Sequence, residues 1–572
     1  MDWWQPDRSW RAGEWTLRLR GDELADIAFA GRPVLRSIRA VARDHDWNTA
    51  DLVVDGIGED AGALTLQVRA SGAVTGLSGT VRVAASGRTL TVELDLAVAA
   101  DLDTNRTGLV VLHPAHLAGA RLRVRHADGS HEDTRFPAAI SPHQPVFDIT
   151  ALSWHAAGLG VGATFTGDVF EMEDQRNWTD ASYKTYSRPL ALPFPYRLGA
   201  GTRVRQRIEV RAGRDGDDAG DAGGEDAEAA AIVLAAAGPF PEIALGAATA
   251  PAPAPRVEPV GQAVLVELDL AAPNWPAALD RAATSGLPLD VRLVARDTHS
   301  LDAAAQALRG RSVARVAAFG ADGEAAHVSD AALVAALRVA LGRAGVVTAV
   351  IGGARSHFTE LNREHHRLPE GLDGITFSVT GLFHSTSTEQ LVESLAMQRL
   401  VAIQAVGLAG DTPVHIGPVT LRPRFNNVAT TPVPGPDGGD LRNGYGAAFT
   451  GADDPRQRAP ELAAWTIASA AALAVPGVAS LTFFEEWGPR GIRSSGGEDL
   501  PVATAVRALA ARHGGRLLCG DSPDGLVWAI GADDTVLVAN LDRRDRRVEL
   551  ESPDGGRVLV EVTAGSWRRI GL

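Results

Sequence analysis

The chain of 572 residues holds a single lysine, a single cysteine, three methionines and four tyrosines. One cysteine, Cys519, can form neither an intrachain disulfide nor a thiolate metal cluster, which fits a reducing, cytoplasmic setting. Excess positive charge is missing as well, since the formal net charge is −15. Without a basic stripe to neutralise phosphates, neither nucleic acid nor an anionic membrane is an expected partner. No stretch of about 18 uninterrupted apolar residues occurs, and the opening MDWWQPDRSW lacks a basic segment followed by an apolar one, so no membrane span and no signal peptide are expected. There is no GxSxG elbow, no Walker loop, no strand-coupled GxGxxG and no HExxH helix. The pairs His113/His116 and His365/His366 lack further ligands at a recognisable spacing. Serine-triad acyl transfer, nucleotide cofactors and a required metal are therefore disfavoured, and no cofactor is expected.

Against this background one segment stands out. Phe170 to Tyr196, FEMEDQRNWTDASYKTYSRPLALPFPY, holds the only lysine, Lys184, three of the four tyrosines and Met172. A chain that uses arginine for almost every cation keeps lysine where a fork does not serve, because an ammonium is a compact charge whose pKa shifts readily. Lys184 is thus a site candidate. The same cluster also reads as a tightly packed strand pair with buried tyrosine hydroxyls, and composition alone does not choose between them.

The length calls for about three domains. From Trp15 to about Val210 apolar and polar residues alternate between turn signals, as in LTLQVRASG and GTVRVAASGRTLTVELDL, which predicts an antiparallel β-sandwich over residues 1–210. The acidic, glycine-rich run within 211–238 reads as a linker or exposed loop. Eight short apolar runs, EIALG, AVLVELDL, LPLDVRLVA, VARVAAFG, VVTAVIGG, GITFSVT, PVHIGPV and VASLTFFE, then alternate with amphipathic helices. They predict a (β/α)8 barrel over 239–514, followed by a small antiparallel β domain over 515–572.

In such a barrel the residues just past each strand converge on one mouth. These are His357, Glu360 and Asn362 after the fifth strand and His384 and Ser385 after the sixth. Arg422, Arg424 and Asn426 follow the seventh, and Glu485 and Glu486 end the eighth. Carboxylates, an imidazole and guanidiniums around one cavity supply a base, a proton donor and stabilisers for an oxyanion. The polar hairpin around Lys184, with Glu173, Asp174 and Asn177, is expected to reach from the sandwich to this mouth and approach Glu485, since clefts between domains are common binding sites.

NRTGLVVLHP (Asn105 to Pro114), FPAAISPHQPVFDI (Phe136 to Ile149), EMEDQRNWTDASYKTY (Glu171 to Tyr186), FTELNRE (Phe358 to Glu364), PVTLRPRFN (Pro418 to Asn426) and TFFEEWGPRG (Thr482 to Gly491) together resemble the D-apionate lactonase family of bacterial apiose catabolism. The resemblance implies a mutarotase-like sandwich, a glycosidase-like barrel, a C-terminal β domain and hydrolysis of a five-membered sugar lactone. The eighth-strand end and the sixth-strand loop depart from the family's pattern, although Glu485 keeps its acidic position and His384 its histidine. These departures bear on the exact substrate more than on the reaction class. As a lactonase, the chain would use Glu485 or Glu360 as base, with Arg424 or Lys184 together with His384 at the oxyanion. Asn362, Asn426, Trp178, Glu173 and Trp487 would line the substrate. Two alternatives stay open. A retaining glycosidase requires acidic residues after the fourth and seventh strands, where AAFGADGEA and IGPVTLRPRFN do not obviously supply them. A non-catalytic carbohydrate-binding protein would show exposed aromatics, such as Trp178 and Trp487, at the mouth. The expected partner in each case is a small sugar lactone or another carbohydrate, and the oligomeric state is not legible.

Overall fold

The computed structural model describes residues 3–60, 62–214, 230–322, 326–431, 435–449 and 452–572. Among the described residues the N-terminal domain is built on an antiparallel sheet of sixteen strands, folded over so that its inner face is a core, with a separate strand pair, Leu102–Thr104 and Tyr196–Leu198. Period-two alternation does this: Thr89–Val98 buries every second residue, and each fully buried Val or Leu contributes about 1.5–3 kcal/mol. Arg8 on the strand at one end of the order ion-pairs with Glu59 on the strand at the other, so the two ends of the sheet meet. The strands of the lysine hairpin, Phe170–Asp174 and Ser182–Tyr186, lie mid-sheet between Arg106–Pro114 and Val146–Ala156.

The barrel strands are Glu242–Gly246, Ala263–Asp269, Leu289–Ala295, Val313–Gly320, a fifth in two pieces, Ile375–Thr380, Val414–Thr420 and Val478–Glu485. The fifth breaks at Ile351: Ala349–Val350 pairs with the fourth strand and Gly352–His357 with the sixth, and this closes the ring. Among the described residues seven α-helices follow strands two to eight, while the first strand leads into an irregular stretch over 247–262. The helix Thr388–Ala409 is long and apolar enough by composition to cross a membrane, but here it packs on the barrel core through Leu391, Leu395, Val401 and Ala402. Glu461–Leu473 is buried nearly all round, between the barrel and the C-terminal strands that carry Trp528 and Leu537.

At the closed end of the barrel, Asp290 bonds Arg292 (2.6 and 2.8 Å) and Arg315 (2.6 Å), and Arg315 also pairs with Glu242 at 2.5 Å. Burial pushes the Asp290 carboxyl up, but the two guanidiniums outweigh it and hold it well below the usual carboxylate range. Asp290→Ala strips a buried cation pair of its shared partner, so a loss of about 3–5 kcal/mol is expected in the unfolding free energy from denaturant titration. A loss under 1 kcal/mol would show that the network is dispensable.

The expected linker needs correcting at both ends. The last sandwich strand runs on to Arg214. Ala230–Val233 and Ala235–Pro239 are strands of the C-terminal domain, pairing with Arg546–Glu551 and Arg516–Asp521, so the chain visits that domain before it enters the barrel. The acidic run at 215–229 lies outside the described residues.

Candidate active site

The hairpin owes its shape to its own polar residues. Asp174 accepts from the Arg176 amide at 3.2 Å and clamps the Arg176 guanidinium at 2.8 and 2.7 Å, while Thr179 takes the left-handed conformation (φ 65°) that turns the chain back. Arg176 also donates to the carbonyls of Pro137, Ala138 and Ala139, tying the FPAA segment to the tip. The tip docks on the barrel. Thr179 Oγ1 donates to the Thr380 carbonyl at the end of the sixth strand (2.7 Å), and Asn362 donates to Asn177 Oδ1 (3.0 Å). Trp178 stacks on Phe383 at 5.7 Å and meets the edge of His384 at 5.2 Å. The hairpin therefore reaches the mouth as the sequence leads one to expect, but beside strands five and six.

There it completes a pair. Asp180 Oδ2 lies 2.7 Å from His384 Nδ1, and His384 Nε2 makes no hydrogen bond among the described residues. Burial, reinforced by the charges of Lys184 and Arg43, holds the imidazole well below its ordinary pKa, so it is neutral near pH 7. Burial lifts Asp180 to about 7 against the lowering pull of Arg36 and Lys184. Lys184, which pairs with Glu173 and lies 4.8 Å from the Tyr186 ring centre, lines the same narrow cavity as Asp180, His384, Arg43, Arg106 and Ser385. Burial brings its pKa down to about 8, opposed by Glu173 and assisted by Arg106 and Arg43. A neutral imidazole steadied by a carboxylate, lining the same desolvated niche as a cation, has the chemistry to accept a proton beside a group that can stabilise an oxyanion.

The other expected residues are placed differently. Glu485 sits at the junction of the eighth and first strands and does not line the Lys184 cavity. Phe484, left-handed at φ 50°, bulges so that Glu485 falls opposite Gly246, where a Cβ would lie 2.7 Å from the Phe484 carbonyl oxygen. Its carboxylate then takes three donors: Thr249 N (3.0 Å), Thr249 Oγ1 (2.8 Å) and Arg490 Nε (3.1 Å). Glu360 caps its own helix, accepting from Ser356 Oγ (2.7 Å), the His357 amide (3.1 Å) and Asn427 (2.6 Å). The carboxylate oxygens of both are thus hydrogen-bonded to neighbouring backbone and side-chain donors of the protein itself. Asn362 and Asn426 are likewise spent on the interdomain contact, Asn362 on Asn177 and Ile140, Asn426 on Asp46 and Asn48. Trp178 and Trp487 are buried, not exposed as a carbohydrate platform would require.

Arg424 belongs to a second cavity, of about 480 Å³, over the second strand. There it and Arg355 grip Glu267 at 3.1 and 2.6 Å, and Arg355 lies over the Phe425 ring. Burial raises the Glu267 carboxyl, but the two guanidiniums win and bring it to about 2. Asp180, Arg43, Arg106, Glu267 and Arg355 are the residues that sequence reasoning missed. Asp180 had a signal, since it lies inside the rare-residue hairpin; the arginines are one common type among many.

Two family models match the chain: the D-apionate lactonase N-terminal domain over residues 2–215 and the D-apionate lactonase TIM barrel domain over 241–514. A curated D-apionate lactonase of Brucella anthropi is 30% identical over 551 residues, covering 88% of this chain and 87% of that protein. Among solved structures, a GH30 endoxylanase of Clostridium papyrosolvens C71 aligns with 60% of this chain and 99% of its own at 8% identity and a TM-score of 0.38. A putative aldose 1-epimerase of Escherichia coli K12 aligns with 37% and 99% at 11% identity and a TM-score of 0.28.

Proposed function

Because this chain belongs to the D-apionate lactonase family, a family of sugar-lactone hydrolases, we propose that it opens D-apionolactone to D-apionate at the Asp180–His384 pair. The observation that carries the reading is the 2.7 Å contact between Asp180 and His384 Nδ1, which leaves Nε2 as a lone-pair donor facing Lys184's cavity. Water attacks the ring carbonyl carbon as Nε2 takes its proton, and the carbonyl oxygen becomes an oxyanion beside the Lys184 ammonium. Collapse breaks the ring C–O bond, and the imidazolium returns the proton to the departing alkoxide oxygen. Asp180 keeps Nδ1 protonated and compensates the transient imidazolium charge.

Two groups set the expected pH profile. Whichever of the two holds it, an extra proton on the Asp180–His384 pair costs the Nε2 lone pair, so turnover falls below about 7. Loss of the Lys184 ammonium lowers turnover above about 8. A narrow bell between these limbs is expected in kcat/KM, which reports the free enzyme's groups; a kcat/KM that stays flat from pH 5 to 10 would remove both assignments.

A panel separates this reading from the glycosidase. Purified protein is incubated with D-apionolactone, several pentonolactones and aryl glycosides, and acid release is followed alongside aglycone release. Acid from apionolactone without aglycone from the glycosides is expected. The opposite result would overturn the proposal.

A further inference from the structure

The face of the sandwich that looks toward the barrel carries more cations than its carboxylates match. Arg39 pairs with Asp22 at 3.1 Å, Arg36 with Glu23 at 3.1 Å, and Lys184 with Glu173. Arg43 and Arg106 are different. They stand directly opposite each other on neighbouring antiparallel strands, where like charges repel. Neither guanidinium makes a hydrogen bond or ion pair among the described residues, and the Nε of each is buried without a partner. Arg106 is only 3% exposed. Its plane is fixed, with its guanidinium carbon 3.7 Å from the Tyr186 ring centre and 5.3 Å from that of Trp47. The carboxylate whose charge reaches both is Glu173, which is already ion-paired with Lys184, so two guanidiniums and an ammonium share one counter-charge, and buried cations so short of one are costly to keep. Burial and the neighbouring Arg106 lower Arg43 to about 10, which registers the same strain. Both line the cavity that holds Lys184, Asp180 and His384.

We propose that Arg43 and Arg106 form a clamp for the carboxylate of a polyhydroxy acid, so that the acid released by ring opening is held by charge where the neutral lactone is not. The clamp rests on the lactonase reading for its physiological ligand, yet its existence is measured without turnover. A carboxylate offers two acceptor oxygens to two donor forks, and it is small enough for a narrow niche. Retention of this kind makes sugar acids inhibitors competitive with the lactone.

The test is calorimetric titration of the intact protein with D-apionate, D-erythronate, inorganic phosphate and the neutral polyol ribitol, at fixed ionic strength. Wild type is expected to bind the two sugar acids at one site, ribitol at least tenfold more weakly, and phosphate no better than the acids. Arg106→Gln and Arg43→Gln should each weaken the acids tenfold or more, and Arg106→Lys should recover part of that loss. Circular dichroism and a thermal midpoint raised by the acid in wild type alone separate lost binding from lost folding. Three results would overturn the clamp: no binding to wild type, equal binding to both glutamine variants, or a clear preference for phosphate, which would place the charge on a phosphorylated substrate. If the acids bind as described while no lactone is hydrolysed, the clamp stands and the lactonase reading falls.

Discussion

Replacing His384 by glutamine is expected to lower kcat for lactone hydrolysis by roughly 10²–10⁴-fold, the usual share of a positioned general base. Glutamine keeps a polar group of similar reach but has no basic nitrogen to take the water proton. KM should change little, because the imidazole moves protons in the transition states and does not hold the sugar in the ground state. Asp180→Asn should act in the same direction. An asparagine that donates to Nδ1 forces the proton onto Nε2, the atom that must be free. The check is acid release in a lightly buffered assay at saturating lactone, with circular dichroism to confirm the fold. A variant that keeps more than about a third of the wild-type kcat would exclude His384 as the base.

Loss of the Lys184 charge ranks second. Lys184→Gln should reduce kcat by roughly 10²–10³-fold, the typical cost of removing one donor aimed at a developing oxyanion. It also leaves Glu173 without its partner, so some loss of stability accompanies the change. Lys184→Arg distinguishes the two effects. A guanidinium keeps its charge at every accessible pH, so the alkaline limb near 8 should disappear from the profile, while the wide fork fits poorly between Glu173 and the Tyr186 ring and holds kcat below wild type. An alkaline limb that persists unchanged in Lys184→Arg would assign it to another group.

Much of this architecture could be read in the sequence, because strands and helices announce themselves through local periodicity. The eight apolar runs from Glu242 to Glu485 all became barrel strands. What escaped depends on pairing between distant residues. The break of the fifth strand at Ile351 follows from which neighbour each half bonds, and the strands Ala230–Val233 and Ala235–Pro239 are short, alanine-rich and next to an acidic run that looks unstructured. The site divided in the same way. Rarity of type pointed to Lys184, and strand-end position pointed to His384, two features visible in one dimension. Their meeting through Asp180 is tertiary. Glu485 and Glu360 were in the expected positions at the strand ends, but Thr249, Arg490, Ser356 and Asn427, which occupy their oxygens, come from elsewhere in the chain or from backbone turns that composition does not reveal. Arg43 and Arg106 could not stand out in a chain that writes nearly every cation as arginine.

The central claim is that the lactone ring is opened at the sandwich–barrel junction and not at the eighth-strand carboxylate. The most direct measurement compares His384→Gln with Glu485→Gln in the same acid-release assay on D-apionolactone. The account predicts that His384→Gln loses at least about 100-fold in kcat, while Glu485→Gln, whose role is to hold Thr249 and Arg490, retains a kcat within about tenfold of wild type. A near-silent Glu485→Gln beside an active His384→Gln would contradict it.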